Sequence, residues 1–183
     1  MEEHLDRVEE LSRLVSAVRN GHPERMDDLL GESAGIVHAV ARAHLGDSLA
    51  AEEAAADALV RVVRGLSKLE EPRSYIRWLG RIAARCAADA GRRRADDLAV
   101  SPEEPADPTG GPEEAARRAE RAAMIRRTVR ELPRRLRAPV LLHYVEGLSY
   151  REIAMVLGTS LSTVSRRIAR ALTTLKRRLG EEP

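Results

Sequence analysis

The chain has 183 residues, of which 31 are basic and 29 acidic, and its formal net charge at pH 7 is +2. Aromatic residues make up 2% of it and phenylalanine is absent, so the core must be built from Leu, Val, Ile and Ala, which favours helices over sheets. No stretch approaches the roughly 18 apolar residues that span a bilayer, and the acidic residues 1–6 lack the apolar core of a signal peptide. The single Cys86 excludes an internal disulfide and argues against a structural zinc site. We therefore expect a soluble cytoplasmic protein in which Cys86 packs as a small hydrophobic residue.

Four helical segments and no convincing strand are predicted for the first half of the chain. An apolar stripe marks the first segment, which the breakers Asn20–Pro23 end. The second continues from Met26 toward Gly46, and the alanine-rich third runs from about Ser48 to Arg64. A loop from Gly65 to Pro72 precedes the fourth, which runs from Ser74 to about Arg94. The apolar residues that define these segments include Leu11, Leu14, Val15, Val18, Leu29, Ile36, Val37, Val40, Ile76, Leu79, Ile82 and Cys86.

The fourth segment carries a second, basic stripe. Arg77, Arg81 and Arg85 repeat every four residues, so they share one face of a helix and repel one another modestly. A helix that tolerates such repulsion often meets phosphate. A solvated face with no ligand is the other interpretation of the same pattern.

A change in composition divides the chain near its middle. Residues 96–120 hold 2 basic and 8 acidic residues, and six Pro or Gly residues fall between Pro102 and Pro112. Such a segment has too few apolar residues to offset the entropy of ordering, so residues 96–119 are predicted to be a flexible acidic linker. The helical pattern resumes near Glu113. The predicted fold is therefore all-α, with small helical domains at residues 1–95 and 120–183.

The second domain contains a predicted helix-turn-helix. Ser149 and Glu152 form an S-x-x-E capping box that starts one short helix, and Gly158 ends it. Ser160 is the expected N-cap of a second helix, whose apolar face begins with Leu161. Two short helices joined by a tight, glycine-containing turn are typical of DNA-binding proteins. The opposite face of the second helix carries small hydroxyl residues and then guanidinium groups: Ser162, Thr163, Arg166, Arg167 and Arg170.

The basic charge of the chain is concentrated in this domain. Residues 121–183 hold 14 basic and 5 acidic residues, a net charge of +9, which suits a polyanion. Charged helix faces are often merely solvated, and capped helix pairs also occur in bundles that bind no nucleic acid. The charge distribution favours DNA binding over those interpretations.

Two other functional classes fit these features less well. A stand-alone helix-turn-helix regulator, with an N-terminal dimerisation or sensor domain, predicts a symmetric dimer on a palindromic site. An enzyme is not supported, because the five His residues are scattered and no Gly-rich phosphate loop or nucleophile motif is present. Neither a cofactor nor a metal site is predicted.

The sequence resembles the extracytoplasmic-function sigma factors, the minimal two-domain class of the sigma-70 family, over about residues 11–95 and 120–180. In the second half, ELPRRLRAPVLLHYVEGLSYREIA (131–154) matches the family pattern nearly position for position. In the first half, Trp78-Leu79, Arg81-Ile82-Ala83 and Asp89 followed by Arg92–Arg94 resemble the family's fourth helix. The chain departs from the pattern where Ala56 replaces a glutamine, Leu59 a phenylalanine and Arg85 an asparagine.

The resemblance implies a monomer that binds core RNA polymerase, through its clamp helices and its flap, and directs it to promoter DNA. It implies that the linker threads the polymerase RNA channel and that an anti-sigma factor can hold the protein inactive. Tyr75 and Trp78 are then the only aromatic residues available to stack on a base extruded from melted DNA, and of the two Trp78 is expected to lie in the core. The implied polymerase-binding residues are Glu52, Glu53 and Asp57. The implied contacts to the proximal, melted promoter element are Lys68, Arg73, Ser74, Arg77, Arg81 and Arg85, and those to the distal, double-stranded element are Ser162, Thr163, Arg166, Arg167, Arg170 and Lys176.

Overall fold

A computed structural model describes residues 7–46, 49–96 and 112–179. All regular elements in these ranges are helical, which confirms the predicted all-α class. Within the same ranges no helix is long and apolar enough to cross a membrane. Residues 97–111 of the predicted linker, the first six residues and Ser48 lie outside the described ranges.

The first half contains the four predicted helices, with short 3-10 turns before the second and the fourth. They are α1 (Arg7–Arg19), α2 (Met26–Leu45), α3 (Leu49–Gly65) and α4 (Tyr75–Asp96). The segment predicted as a loop holds a 3-10 turn at Leu66–Lys68, and a further one, Pro72–Ser74, leads into α4. Because α2, α3 and α4 each pack on the other two, they form a three-helix unit against which α1 lies.

The second half contains α5 (Pro112–Arg130), α6 (Arg134–Tyr144), α7 (Tyr150–Val156) and α8 (Leu161–Leu179). Helical structure therefore resumes beside Glu113, as predicted. The bound of the predicted linker at residue 119 is wrong, because residues 112–119 already belong to α5. The capping box at the start of α7 is confirmed: Ser149 Oγ accepts from the Glu152 amide, and Glu152 accepts from the Ser149 amide. Gly158 has φ of +60°, the left-handed conformation that ends a helix, so the two helices of the predicted helix-turn-helix are joined as expected.

The core of the first half is made of aliphatic residues and alanine, as the composition requires. Cys86 is 2% exposed and packs as a small hydrophobic residue, and burial raises the pKa of its thiol. Tyr75 is 1% exposed, so the expectation that it is available to stack on an extruded base is wrong. The reason is its position on the inward face of α4, where it lies among the helices of the bundle.

Tyr75 and Ser33 form a polar contact inside this aliphatic core. Ser33 Oγ donates to the Leu29 carbonyl at 2.6 Å, and the Tyr75 hydroxyl lies 2.8 Å from Ser33 Oγ. Since the single Ser33 proton is committed to Leu29, the Tyr75 hydroxyl donates to Ser33. Burial raises the pKa of Tyr75 to about 12.

The two halves pack against each other over a continuous set of buried side chains. In this cluster Leu142, Ile153 and Ile168 of the second half join the core residues of the first. The contact is made by α2 with α6 and by α4 with α7. A smaller cluster around Leu132, Val140 and Ala171 packs α6 and α8 together.

Tyr75→Phe is expected to lower the free energy of unfolding by about 1 kcal/mol, the typical value of one intramolecular hydrogen bond. Ser33 keeps its bond to Leu29, so no donor is left unsatisfied. Chemical denaturation measures the change, and Tyr144→Phe, at a side chain 57% exposed, is the matched control. An equal loss of unfolding free energy in the two variants would contradict the assignment of a hydrogen bond from Tyr75 to Ser33.

The same contact predicts that the free energy of unfolding depends on pH in the alkaline range. Because the folded pKa of Tyr75 is raised from 10.0 to about 12, the native state holds this proton more tightly than the unfolded chain. The contribution of the protonated Tyr75 hydroxyl to stability is fully present below pH 10.0 and is lost as pH rises through about 12. Tyr75→Phe should therefore show a smaller loss of stability across this window than the wild type.

Candidate nucleic-acid and polymerase interfaces

The start of α8 displays hydroxyl groups held by an N-cap. Ser160 Oγ accepts from the Thr163 amide at 3.2 Å, which confirms Ser160 as the cap. It also lies 3.1 Å from Ser162 Oγ and 2.8 Å from Thr163 Oγ1. Ser162 is exposed and Thr163 half-buried, so short polar groups face solvent where a recognition helix enters a groove. Leu161 is 51% exposed, so its prediction as part of the apolar face is wrong: it is the first residue of the helix, at the rim of the packing against α7.

A stripe of arginines continues from these hydroxyls along α8. Arg166 and Arg170 are exposed and one turn apart, and Arg167 is half-buried on their flank. Arg177 extends the stripe by two further turns, and sequence reasoning missed it although its spacing of 7 and 11 from the other two places it there. Lys176 is exposed but lies about 80° around the helix from Arg166, at about 100° per residue.

The predicted stripe on α4 is also on the surface. Arg77, Arg81 and Arg85 are exposed at spacings of four residues, so three guanidinium groups share one side of the helix. Trp78 is half-buried, against Gly65 and 5.9 Å from the ring of Tyr75. Trp78 thus packs against the core without being fully buried, so of the two aromatic residues of α4 it is the one that can reach a ligand.

The turns before α4 place the other proximal residues. Lys68 and Arg73 are exposed at the two 3-10 turns. Ser74 is half-buried, and its hydroxyl donates to the Glu71 carbonyl at 2.7 Å. The Glu71 carboxylate accepts from the Arg73 amide at 3.1 Å and caps the turn. The structure thus brings all six predicted residues to α4 and the turns that lead into it.

The three acidic residues predicted on α3 differ in their surroundings. Glu52 lies 3.1 Å from His38 Nδ1 and 3.4 Å from Arg42, so it ties α3 to α2. Asp57 lies 3.8 Å from Arg93 of α4. Glu53 is exposed and has no ion pair among the residues that the structure describes.

Exposed aliphatic side chains flank Glu53 on the same face of α3. Leu49, Val60 and Val63 are 68%, 46% and 44% exposed, and their spacing places them in one stripe with Glu53. Sequence reasoning assigned the acids and missed this stripe. Large apolar side chains that share an exposed face mark an interaction surface.

A second apolar surface lies where the C-terminal end of α2 meets α5, α6 and α8. It is a cleft of about 540 Å³ whose walls are mostly apolar and whose edges are arginines. Ile125, Tyr144 and Val145 are exposed there at 41%, 57% and 62%. These side chains leave the cleft open to a partner with an apolar face.

Arg137 holds the base of this cleft together. Its guanidinium donates to the carbonyls of Arg130 and Leu132, and more weakly, at 3.4 Å, to that of Arg42. One cation thus binds the carbonyl ends of α5 and α2, where helix dipoles favour positive charge. Burial, together with the neighbouring Arg134 and Arg130, lowers the pKa of Arg137.

Comparison with known proteins matches the two halves to two regions of one family. Residues 29–96 match the family described as sigma-70 region 2, and residues 122–175 match sigma-70 region 4. The RNA polymerase sigma-H factor of Pseudomonas aeruginosa is 30% identical over 174 residues, which cover 89% of this chain and 90% of that protein. The chain belongs to the extracytoplasmic-function sigma factors of the sigma-70 family.

Further relatives differ in length. The "Probable RNA polymerase sigma factor RfaY" of Xanthomonas campestris is 33% identical over 151 residues. The match covers 78% of this chain but only 37% of the length of RfaY. Among solved structures, CnrH in complex with the cytosolic domain of CnrY has a TM-score of 0.62 at 23% identity, covering 94% of this chain and 99% of CnrH. RpoE of Bartonella quintana, in complex with the anti-sigma factor NepR, has a TM-score of 0.59 at 20% identity, and the match covers 86% of this chain and 98% of RpoE. Both share the fold of this sigma factor.

Arg137→Ala is expected to lower the free energy of unfolding by about 2 kcal/mol, because hydrogen bonds to a charged donor are worth about 1.5–3 kcal/mol each and water replaces part of them at this half-buried site. Thermal or chemical denaturation measures the loss. Arg135→Ala, at an exposed position two residues away, is the control. A loss no larger than that of the control would show that Arg137 does not brace the two helix ends.

Proposed function

We propose that this sigma factor binds core RNA polymerase as a 1:1 complex and directs it to promoters by contacting two unlike DNA elements. The observation that carries the proposal is the presence of separate arginine stripes on α4 and α8, each on a different family region. A single recognition surface would suit an isolated operator. Two surfaces of different construction suit one melted and one double-stranded element.

The helix-turn-helix is assigned to the distal, double-stranded element. The hydroxyls of Ser162 and Thr163 lie at the N-terminal end of α8, where a recognition helix approaches base edges. Arg166 and Arg167 follow, and a bidentate arginine–guanine contact is worth about 1–3 kcal/mol of discrimination. Arg170, with Arg177 further along the stripe, is assigned to phosphate, which fixes register without specifying sequence. Lys176, at the side of the α8 stripe, is also assigned to phosphate.

The α4 stripe and the turns before it are assigned to the proximal, melted element. Arg77, Arg81 and Arg85 provide an electrostatic track for a single strand, and such tracks work with aromatic rings on which bases stack. The partly exposed Trp78 is the ring in position to do so. Lys68, Arg73 and Ser74 lie on the adjoining turns, where an extruded base would be held.

Polymerase docking is assigned to the exposed stripe on α3. Leu49, Val60 and Val63 supply apolar area around Glu53, and Glu52 and Asp57 flank them, so the surface suits a helical partner with apolar and basic side chains. The clamp helices of the largest polymerase subunit are the proposed partner. The apolar cleft beside Arg137 is proposed as a second polymerase contact, with the flap.

An inhibitory protein partner is also proposed. RpoE, which shares this fold, was solved in complex with an anti-sigma factor, and the exposed apolar surfaces of α3 and of the cleft could be covered in the same way. The alternative, a stand-alone dimeric regulator, is not favoured, because both halves match sigma-70 regions.

Arg166→Ala and Arg167→Ala are each expected to reduce promoter-specific transcription about tenfold, the equivalent of about 1.4 kcal/mol in the lower part of the range for such contacts. The measurement is in vitro transcription with core polymerase on the DNA upstream of the chain's own coding sequence. Arg13→Ala, an exposed arginine of α1, is the matched control. Pull-down of core polymerase should be unchanged, and an equal fall in that assay would refute the DNA-binding role.

Glu53→Lys is expected to weaken binding of core polymerase at least tenfold, because it reverses the charge at the centre of the α3 stripe. Titration of labelled protein with core enzyme measures the affinity. Glu9→Lys makes the same change at an exposed position of α1 and should leave affinity unaltered. If both variants bind as the wild type does, α3 is not the docking face.

A further inference from the structure

The cleft beside Arg137 has the size and the enclosure of a site for a small molecule. Its volume is about 540 Å³, and ligand pockets in proteins have roughly 300–1,000 Å³. Residues of α5, α6 and α8 and of the C-terminal end of α2 line it, so its walls surround a ligand from several directions. The cleft can therefore take up one molecule of modest size.

The walls of the cleft suit a hydrocarbon chain. Leu141 of α6 and Leu172 and Leu175 of α8 line it and are each half-buried, so part of their apolar surface still faces water. Tyr144 and Val145 add exposed apolar area. The free energy gained by covering such surface scales with the apolar area that leaves water, and a flexible hydrocarbon chain can follow the walls closely.

The edges of the cleft carry positive charge. Four half-buried arginines line it, and among the described residues no Asp or Glu does. One carboxylate lies behind this edge, since Glu52 of α3 is 3.4 Å from Arg42. The charge of the lining side chains therefore remains positive and is complementary to an anion. The four arginines are Arg42, Arg126, Arg130 and Arg137.

Arg137 adds a hydrogen-bond donor to this edge. Its two terminal nitrogens donate to backbone carbonyls, but its buried Nε has no acceptor among the described residues. A buried donor without an acceptor costs free energy. Burial, and after it the charges of Arg134 and Arg130, lower the pKa of Arg137, so positive charge is already crowded here. An anionic oxygen would supply an acceptor and offset that crowding.

We propose that the cleft beside Arg137 binds a single-chain anionic amphiphile of the fatty-acid class. Its carboxylate lies at the arginine edge and its hydrocarbon chain along the apolar walls. A cationic amphiphile is repelled by the same arginines. In a symmetric pair of chains the two arginine edges would meet, so a second copy of this chain fits the cleft poorly.

The proposal has a regulatory consequence, which rests on the function proposed above. The cleft is the surface assigned there to the polymerase flap. A bound fatty acid occupies this surface and competes with the flap, so it reduces transcription that depends on this sigma factor.

The first test titrates the full chain with dodecanoate, below the concentration at which micelles form, in an isothermal titration calorimeter. One molecule should bind per chain. Two matched probes, dodecyltrimethylammonium with the same hydrocarbon chain and opposite charge, and acetate with the carboxylate alone, should each bind at least about tenfold more weakly. Equally tight binding of the cation, or binding of several dodecanoate molecules per chain, overturns the proposal.

Two variants locate the site. Arg126→Gln removes a charge contributed by α5, and Val145→Glu adds a carboxylate at a position that is 62% exposed, so the fold should be preserved. Each should weaken dodecanoate binding about tenfold, the equivalent of one charge-assisted hydrogen bond. Arg135→Gln, exposed on α6 and outside the cleft, is the matched control. Wild-type affinity in both variants would show that dodecanoate does not bind in this cleft.

Two further measurements separate the fatty acid from other occupants. Flotation with phosphatidylglycerol vesicles tests a membrane surface, and sedimentation velocity tests a second copy of the chain. We expect that Val145→Glu changes neither result. Vesicle binding that this variant abolishes, or a dimer that it dissociates, would assign the cleft to that partner and overturn the proposal.

The regulatory consequence is tested by in vitro transcription with core polymerase. Dodecanoate should inhibit the wild type, and the half-inhibitory concentration should rise about tenfold for Arg126→Gln, in step with its affinity. A general effect of the amphiphile on polymerase would act equally on both, so equal half-inhibitory concentrations refute the competition. If the wild type directs no transcription even without dodecanoate, the proposed function fails, while calorimetry still decides whether the cleft binds the fatty acid.

Discussion

The touching backbones of α4 and α7 are the constraint on which the arrangement of this molecule depends. A chain with 2% aromatic residues cannot fill wide gaps between helices, so its helices have to come close. Alanines do this inside the first half, where Ala51, Ala54, Ala55 and Ala58 bury one side of α3. Between the halves Gly80 of α4 does it against the backbone of Val156 of α7, and a single added methyl group there has no space to occupy.

The sequence predicted those features that depend on neighbours in the chain. The capping box of Ser149 and Glu152, the cap at Ser160 and the stripe on α4 follow from spacing, because a helix imposes its own period on the side chains that it displays. The same local signals identified nearly all of the residues now assigned to DNA, and Arg177 could have been found by extending the stripe.

Features that depend on tertiary packing were not predictable in this way. Whether Tyr75 faces a ligand or the core is decided by α2, which places Ser33 opposite its hydroxyl. Val60 and Val63 belong to an apolar run in the sequence, yet they face outward because Val62 and the alanines of α3 suffice to fill the core. The hydrogen bond that Glu152 accepts from the Arg7 amide, at the start of α1, has no sequence signal, since 145 residues separate the two partners.

The four proposed interaction surfaces differ in the physical forces that they use. The stripes on α4 and α8 are guanidinium groups, whose attraction to phosphate weakens steeply with salt. The α3 stripe and the cleft beside Arg137 are mainly apolar, and burial of apolar area is much less sensitive to salt. A chain built in this way can remain attached to a protein partner while its grip on DNA changes with ionic conditions.

The carboxylate shared by α1 and α7 has a consequence for how firmly the two halves hold. Bringing an ionised side chain out of water costs several kcal/mol, and the two hydrogen bonds of Glu152 offset that cost without a large surplus. On separation only the bond to Arg7 is exchanged for water, while the bond within the capping box remains. Glu152 therefore aligns the halves in one register and adds little to their adhesion.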